Sequence, residues 1–435
     1  VTWLHKLGVG GALVSGLLVC AAPAPAVPLK AMPLGGEASL TLSAEARLRY
    51  DAHEQGQLVR GNSYRQGLFR GILGADLRLN PQVRVYGEIG TGQVDGRRNI
   101  ATANFQNTVS LQQLFVEARG RLGPAQVGAM LGRQEFADGP RQLISLSDGP
   151  NLHRSWNGLR VYAQHQGLRV GAFDLRATRP GRGGFDEAVN HAERLQGLNA
   201  SWLVPADGGP NTYLDPFWMH SENPSFRFGG QLGRDVRDTW GLRLWGRKGG
   251  LGFDWTLAHQ TGRYLGREVA AWGLFAVHSL ALSDQGWKPR LTAHIDIATG
   301  GGAYGSGRLK GFNPLYASSA YLGEGQFLAL SNLLMIAPGL SVSPTPVTTL
   351  SVEYGFARRF DPQDAAYAGG MRAYAGTQGL PGRQIGGLLR VVGTWALSAQ
   401  LSLFLNHERF DASELLRRAG LHSGSYSHVG ATWRY

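Results

Sequence analysis

Apolar residues recur at every second position through most of this chain. Leu40, Leu42, Ala44, Ala46, Leu48 and Tyr50 alternate with Thr41, Ser43, Glu45, Arg47 and Arg49. Successive side chains of an extended strand leave opposite faces, so the spacing predicts a strand with one greasy side and one polar side. The pattern returns with Phe69, Leu73, Ala75, Leu77 and Leu79 against Arg70, Asp76 and Arg78, then with Val83, Val85 and Ile89 against Arg84, Tyr86 and Glu88. Asn80-Pro81 supplies the tight turn between them. Later repeats set Leu114, Val116 and Ala118 against Glu117 and Arg119, and Leu251, Phe253, Trp255 and Leu257 against Asp254, Thr256 and Gln260. Others set Leu291, Ala293, Ile295 and Ile297 against Arg290, Thr292, His294 and Asp296, and Leu350, Val352, Tyr354 and Phe356 against Ser351, Glu353 and Arg359. Ile385, Leu389, Val391, Trp395 and Leu397 oppose Gln384, Arg390 and Thr394. At the end, Val429, Ala431, Trp433 and Tyr435 oppose His428, Gly430, Thr432 and Arg434.

Roughly 16 to 18 such segments of about ten residues fit the length of a tilted membrane-crossing strand. Beyond the first 26 residues the longest mostly apolar run, Val269 to Leu282, contains His278 and Ser279 and is too short for a spanning helix. A closed barrel needs no such run, because only alternate residues meet lipid and every backbone group is paired around the ring. The expected fold is all-β, a transmembrane antiparallel up-and-down β-barrel of 18 strands, with 16 as the alternative count. It would close by pairing the strand near Leu40 with the strand at Val429. A soluble two-sheet sandwich would alternate as well. Long connections rich in Gly, Pro, Asn and charge, at Asp138 to Ser155, Pro180 to Arg194, Pro205 to Phe226, Gly300 to Gly325 and Asp361 to Gly382, read as external loops or lumen plugs.

The amino end has a different layout. His5 and Lys6 precede an uncharged apolar stretch from Leu7 to Ala22 and the small-residue run Ala21-Ala22-Pro23-Ala24-Pro25-Ala26. This predicts a secretory leader over residues 1–26, cut after Ala26, and a single barrel domain over residues 27–435. Cys20, the only cysteine, lies within it, and Val19 is too large for lipoprotein processing. A mature chain without cysteine has neither disulfides nor thiolate metal sites.

Composition sharpens the picture. Glycine is abundant at 63 residues, mean hydropathy is only -0.18, and five Lys stand against 38 Arg in a chain of formal charge +12. A GC-rich genome accounts for the ratio but not for arginines on the polar faces. Arginine keeps its charge when partly desolvated and offers a planar fork to carboxylates. A lumen carrying that excess favours anions. The candidate substrate path is Arg47, Arg70, Arg84, Arg119, Arg133, Glu135, Arg160, Arg290 and Arg390. Arg133 and Glu135 lie two apart, so they would meet on one face, as a pore contact or a structural brace. Arg141 and Arg160 flank a long loop, and only one of Arg358 and Arg359 can face inward. Trp255, Trp395, Trp433, Tyr50, Tyr354 and Tyr435 suit interfacial girdles, whereas an inward Trp245 or Tyr86 would suit sugar stacking.

Catalytic signatures are missing. No His-Glu-x-x-His, Gly-x-Ser-x-Gly or Cys-x-x-Cys occurs, and Gly90-Thr91-Gly92 and Gly300-Gly301-Gly302 lack the Lys-Ser/Thr of a phosphate loop. No enzymatic activity, cofactor or metal is expected. A barrel enzyme with an outward site is the minor alternative, and Asn406-His407-Glu408-Arg409 is its nearest acid–base cluster. Nucleic-acid binding is rejected because the basic residues are scattered singly along strands.

The last eight residues resemble the terminal targeting strand of bacterial outer-membrane barrels. Gly132-Arg133-Gln134-Glu135-Phe136, Gly139-Pro140-Arg141 and Trp156-Asn157-Gly158-Leu159-Arg160 resemble the central signature of the alginate-export family of Gram-negative outer-membrane channels. Phe253-Asp254-Trp255 with Gln260-Thr261-Gly262, Gly311 to Tyr316 before Tyr321-Leu322-Gly323, Ser331-Asn332-Leu333 before Pro338-Gly339-Leu340, and Tyr354 through Arg358-Arg359 with Asp364-Ala365-Ala366-Tyr367 follow in the family's order. The resemblance implies an 18-stranded barrel whose arginine-rich lumen lets an anionic polysaccharide such as alginate diffuse outward under loop gating. Small sugar acids are the alternative cargo. Expected partners are outer-membrane lipid and lipopolysaccharide, the barrel-assembly machinery through the C-terminal strand, and the anionic substrate. The chain is expected to be a monomer.

Overall fold

The computed structural model describes residues 31–96, 101–138, 142–204, 212–305 and 307–435, so the expected leader and Arg141 lie outside the described residues. The chain forms β1 (Met32–Gly35), β2 (Ala38–Glu54), β3 (Tyr64–Arg78), β4 (Val83–Asp95), β5 (Asn107–Leu122), β6 (Ala125–Glu135), β7 (Ser155–His165) and β8 (Leu168–Arg179). There follow β9 (Ala188–Val204), β10 (Thr212–Phe228), β11 (Gln231–Lys248), β12 (Leu251–Tyr264), β13 (Arg267–Ala281), β14 (Arg290–Ala298), β15 (Leu333–Thr345) and β16 (Thr348–Arg358). A two-residue hairpin, β17 (Tyr367–Ala368) and β18 (Arg372–Ala373), precedes β19 (Gln384–Ala396), β20 (Leu401–Ala412) and β21 (Gly424–Arg434).

Each long strand pairs antiparallel with its sequence neighbours, β16 pairs with β19 across the loop that holds the small hairpin, and β2 pairs with β21 to close the ring. Eighteen strands make the wall. β1 folds back onto the start of β2, Met32 opposite Leu40, and lengthens the seam. The closing register sets Val429 opposite Tyr50 and Arg434 opposite Glu45, so Leu40 lies below the seam.

The alternation becomes geometry as expected of a barrel. On β2, Leu48 is 62 % exposed on the outside, while Arg47 and Arg49 retain 5 % and 7 % within. Trp255, Trp395, Trp433, Tyr50, Tyr354 and Tyr435 are all exposed on the outer wall. Ile385 departs from the pattern, being buried while Gln384 is exposed. A register irregularity between Ala357 and Arg358 in the β16–β19 pairing switches the faces there.

Two predicted loops are in part strand. Residues 212–226 belong to β10, where Pro216, Asn223 and Pro224 hid the strand, and 188–194 belong to β9. Connections at the end that carries the β2–β21 seam's Arg434 are short, such as 123–124, 166–167, 249–250 and 346–347. The other end carries 136–154, 299–332, 359–383 and 413–423, the arrangement of short periplasmic turns and long outer loops.

Those long loops turn into the barrel. Phe312, Phe327, Leu328, Leu330, Leu143 and Ile144 from the loops pack with Trp156, Phe228, Phe275 and Phe410 from the strands in one buried apolar cluster. The lumen is thus polar toward the short-turn end and filled by an apolar core toward the loop end. Alternation along strands carries no information about this plug.

Candidate functional site

Toward the short-turn end the lumen wall is a lattice of ion pairs. Arg84 binds Asp76 at 2.8 Å and Glu117 at 3.2 Å, and Arg119 binds Glu117 at 2.8 Å. Tyr162 donates to the same Glu117. Arg243 forks onto Asp254 at 2.7 and 2.6 Å, and Tyr213 stacks on Trp245, ring centroids 4.1 Å apart. Each guanidinium is fixed in direction by a carboxylate, the geometry in which arginine pairs are strongest.

At mid-height the wall grips the loops. Arg47 donates to the carbonyls of Asp148 (2.9 Å) and Pro150 (2.6 Å), while Arg70 bridges Glu45 and the Asp148 carboxylate at 2.5 and 2.6 Å. His153 links Asp148 to Glu135 at the end of β6. Burial alone would lower the His153 pKa, but its hydrogen bonds to Asp148 and Glu135 raise it to about 9. Burial would raise Asp148, yet Arg70, His153 and Arg47 hold it well below the usual carboxylate range. The Asp148 side chain still keeps 66 % of its surface.

The loop 299–332 is clamped in the same manner. Arg390 donates to the carbonyls of Tyr321 (3.1 Å) and Ala320 (3.0 Å) and pairs with Glu353 at 3.3 Å. Glu408 accepts from the amides of Glu324 and Gly325, each at 2.8 Å. Tyr321 donates to Asp296, which also holds His294, and Arg237 donates to the carbonyl of Gly311. In the third loop the fully buried Arg359 donates to the carbonyls of Asp364, Thr377, Leu380 and Gly382.

The geometry sorts the candidate path. Arg47, Arg70, Arg84, Arg119, Arg160, Arg290 and Arg390 occupy inward positions, each alternating with or paired beside an exposed outer neighbour. Arg160 lies over the Phe136 ring at 4.5 Å, and Arg290 stands at the short-turn rim of β14. Arg133 does not line the lumen. It is paired with the exposed Leu114, hence on the outer face, and its guanidinium binds Glu187 at 2.9 Å and Asn157 at 3.0 Å. Glu135 turns instead to His153, so the two do not pair with each other. Of the adjacent arginines 358 and 359, the first is exposed and the second is buried in the loop. Strand alternation also offered Arg237, Arg243, Asp235 and Asp254, buried lumen residues left out of the candidate set.

Two glycines of the central motif have a steric cause. Gly132 (φ 133°) and Gly158 (φ 155°) are direct cross-strand partners, and a Cβ on Gly158 would lie 2.0 Å from the Asp174 carbonyl oxygen. Between the inward loops and the wall lies a cavity of about 550 Å³, bounded by Arg49, Asp51, His53, Tyr64, Glu324 and Tyr426 among others.

The alginate export family model matches residues 38–429. No curated protein matches the chain. Among solved structures, the crystal structure of Pseudomonas aeruginosa OpdK with vanillate is similar at TM-score 0.59 and 14 % identity, covering 91 % of this chain and 98 % of that one. Pseudomonas aeruginosa OccK2 (OpdF) in complex with glucuronate aligns at TM-score 0.59 and 12 % identity over 91 % and 96 % of the two chains. A BenF-like porin from Pseudomonas fluorescens Pf-5 aligns at TM-score 0.61 and 11 % identity over 92 % and 98 %. At these identities the likeness concerns the barrel fold. The family match runs from the start of β2 into β21, and the chain belongs to the alginate export family of outer-membrane channels.

Proposed function

We propose that this channel passively passes an anionic polysaccharide of the alginate type outward across the outer membrane. The observation that carries the reading is the set of inward arginines, Arg84, Arg119, Arg160, Arg47, Arg70 and Arg390, rising through the lumen of a barrel in this family. Because most are already paired with carboxylates, a uronate exchanges one anionic partner for another. Binding of that kind is favourable enough to enter and weak enough to leave. No step of the transport needs nucleotide or enzymatic chemistry. In this reading residues 1–26 are removed, residues 27–435 fold as one monomeric domain, lipopolysaccharide surrounds the outer rim, and the assembly machinery reads the final strand.

A second reading, a diffusion porin for small sugar acids, is favoured by the inward loops, which narrow the loop end to a compact cavity. The glucuronate complex of OccK2, a barrel of the same fold, is consistent with that size of cargo. Planar-bilayer recording separates the two. Anion selectivity with block by long polyuronate supports polymer export. Block by monomeric uronate alone supports the porin, and cation selectivity overturns both.

A further inference from the structure

A cross-strand row of large side chains marks the edge of the lipid belt on one side of the outer wall. Leu198, Trp218, Trp240, His259 and Trp272 are direct partners from β9 to β13, and Leu198, Trp240 and Trp272 are exposed. On β8, β7, β6 and β5 the same row continues as Ala172, Val161, Ala129 and Ala118. Where the rings give way to small side chains the wall holds a groove of about 640 Å³, bordered by these four residues with Val170 and Leu198.

Four residues toward the loop end on β6 to β10, roughly 13 Å along each strand, lies a second outward row. Arg133, Asn157, Arg176, Arg194 and Glu222 follow one another there in direct register. Arg176 and Arg194 face each other and share one carboxylate, Asp174, at 3.2 and 2.8 Å. Glu222, the other neighbour of Arg194, is held by Arg234 at 2.8 Å, and Arg133 is held by Glu187. Opposed like charges on a sheet repel, so two guanidiniums on one carboxylate leave a place for a second anion. Arg194 has the parity of the exposed Leu198 and points away from the lumen, beyond the reach of cargo in the pore.

Just above the lipid belt at the loop end, the anions of the membrane are the phosphates of the outer-leaflet glycolipid. Phospholipid belongs to the leaflet at the short-turn end. We infer that groove and row together form a site for one lipopolysaccharide molecule, with a lipid A phosphate on Arg176 and Arg194 and an acyl chain along Ala172, Val161 and Ala129. Guanidinium forks match phosphate oxygens, and small outward side chains let an acyl chain lie close against the backbone. The inference rests on the outer-rim placement of lipopolysaccharide given above, narrows it to one face of the barrel, and is independent of the cargo.

Native mass spectrometry tests the site on the full-length barrel refolded in detergent without lipid and then given diphosphoryl lipid A, its dephosphorylated form or phosphatidylglycerol. Diphosphoryl lipid A is expected to bind tightest. Arg176→Gln combined with Arg194→Gln should weaken it about tenfold or more, the worth of a hydrogen bond to a charged group. Ala172→Phe, which fills the groove and leaves every charge in place, should weaken it as well. Arg358→Gln, at an exposed position at the loop end of β16 on the opposite side of the ring, should leave it unchanged. Heat-modifiable gel migration confirms that each variant is folded. Unchanged affinity in the folded double variant or in Ala172→Phe, an equal loss in Arg358→Gln, or equal binding of phosphatidylglycerol or dephosphorylated lipid A overturns the site. Lipid A binding alike to wild type and all variants leaves the glycolipid rim standing without a dedicated site, whereas no binding to the wild type removes the rim placement too. Anion selectivity in planar bilayers decides the channel reading separately.

Discussion

Arg47 and Arg70 face each other directly across β2 and β3, and both guanidiniums end on Asp148, at 3.5 and 2.6 Å. Like charges opposite one another on a sheet repel, so the pair is tolerable only with an anion between them. The anion comes from the loop 136–154. The wall's cation pair therefore draws that loop into the lumen.

Asp148→Asn should undo this. With the shared charge gone, the two arginines repel and the loop loses its firmest contact. The expected outcome is a larger, noisier unitary current in planar bilayers and faster protease cleavage between residues 142 and 154. The loss in stability should be roughly 1–3 kcal/mol by urea unfolding, since one partner of a charged hydrogen-bonded pair is removed.

The same loop should respond to alkali. Docking raises the His153 pKa from the ordinary 6.5 to about 9, so its contribution is complete below pH 6.5 and is lost as pH rises through about 9. Asp148, held below its ordinary 3.8, contributes above that value and weakens only in stronger acid. Besides burial, Asp148, Glu135 and Arg70 act on His153, and Arg70, His153 and Arg47 act on Asp148. Channel noise recorded from pH 5 to pH 10 should stay low to about pH 8 and then climb. In His153→Gln the climb should vanish.

The clamp on the loop 299–332 predicts an ordering of variants. Arg390→Ala removes two carbonyl contacts, takes the guanidinium from between Glu353 and Glu408, and leaves Glu353 with His294 alone. Glu408→Gln keeps one acceptor oxygen, so one of the Glu324 and Gly325 amides, which bond to different carboxylate oxygens, stays satisfied. Conductance should therefore rise strongly in the first and slightly in the second, with the wild type lowest.

Glycine substitutions should divide sharply. Gly158→Ala would push a methyl onto the Asp174 carbonyl at 2.0 Å, whereas a Cβ on Gly120 meets nothing within 4 Å. The yield of folded, heat-modifiable barrel should collapse for Gly158→Ala and stay at the wild-type level for Gly120→Ala.

The wall was readable because lipid and lumen impose a period of two on every strand. Leu48 against Arg47, or Ile295 against His294, needs nothing more than that rule. β10 escaped because Pro216, Asn223 and Pro224 look like loop residues, though a proline facing away from a ladder bond is compatible with a strand. Arg133 shares parity with the outward Leu131, and strand alternation alone places it on the outer face. The plug was not legible from periodicity at all, since residues such as Phe327-Leu328-Ala329-Leu330 follow no strand rhythm. An apolar run inside a long connection was the available signal. The partners of Arg47 and Arg390 could not be read either, because backbone carbonyls of a distant loop leave no trace in residue type.

The apolar cluster beneath the loops gives this membrane protein a second, water-driven kind of cohesion. Most of the outer wall lies against lipid, where no water hydrates it, but Phe312, Phe327 and Leu328 would be wetted if the plug came loose. Hydration of such groups carries a large heat-capacity increment. The mouth of the pore is accordingly tuned to temperature as a globular domain is, and chilling loosens it while the ring around it holds firm.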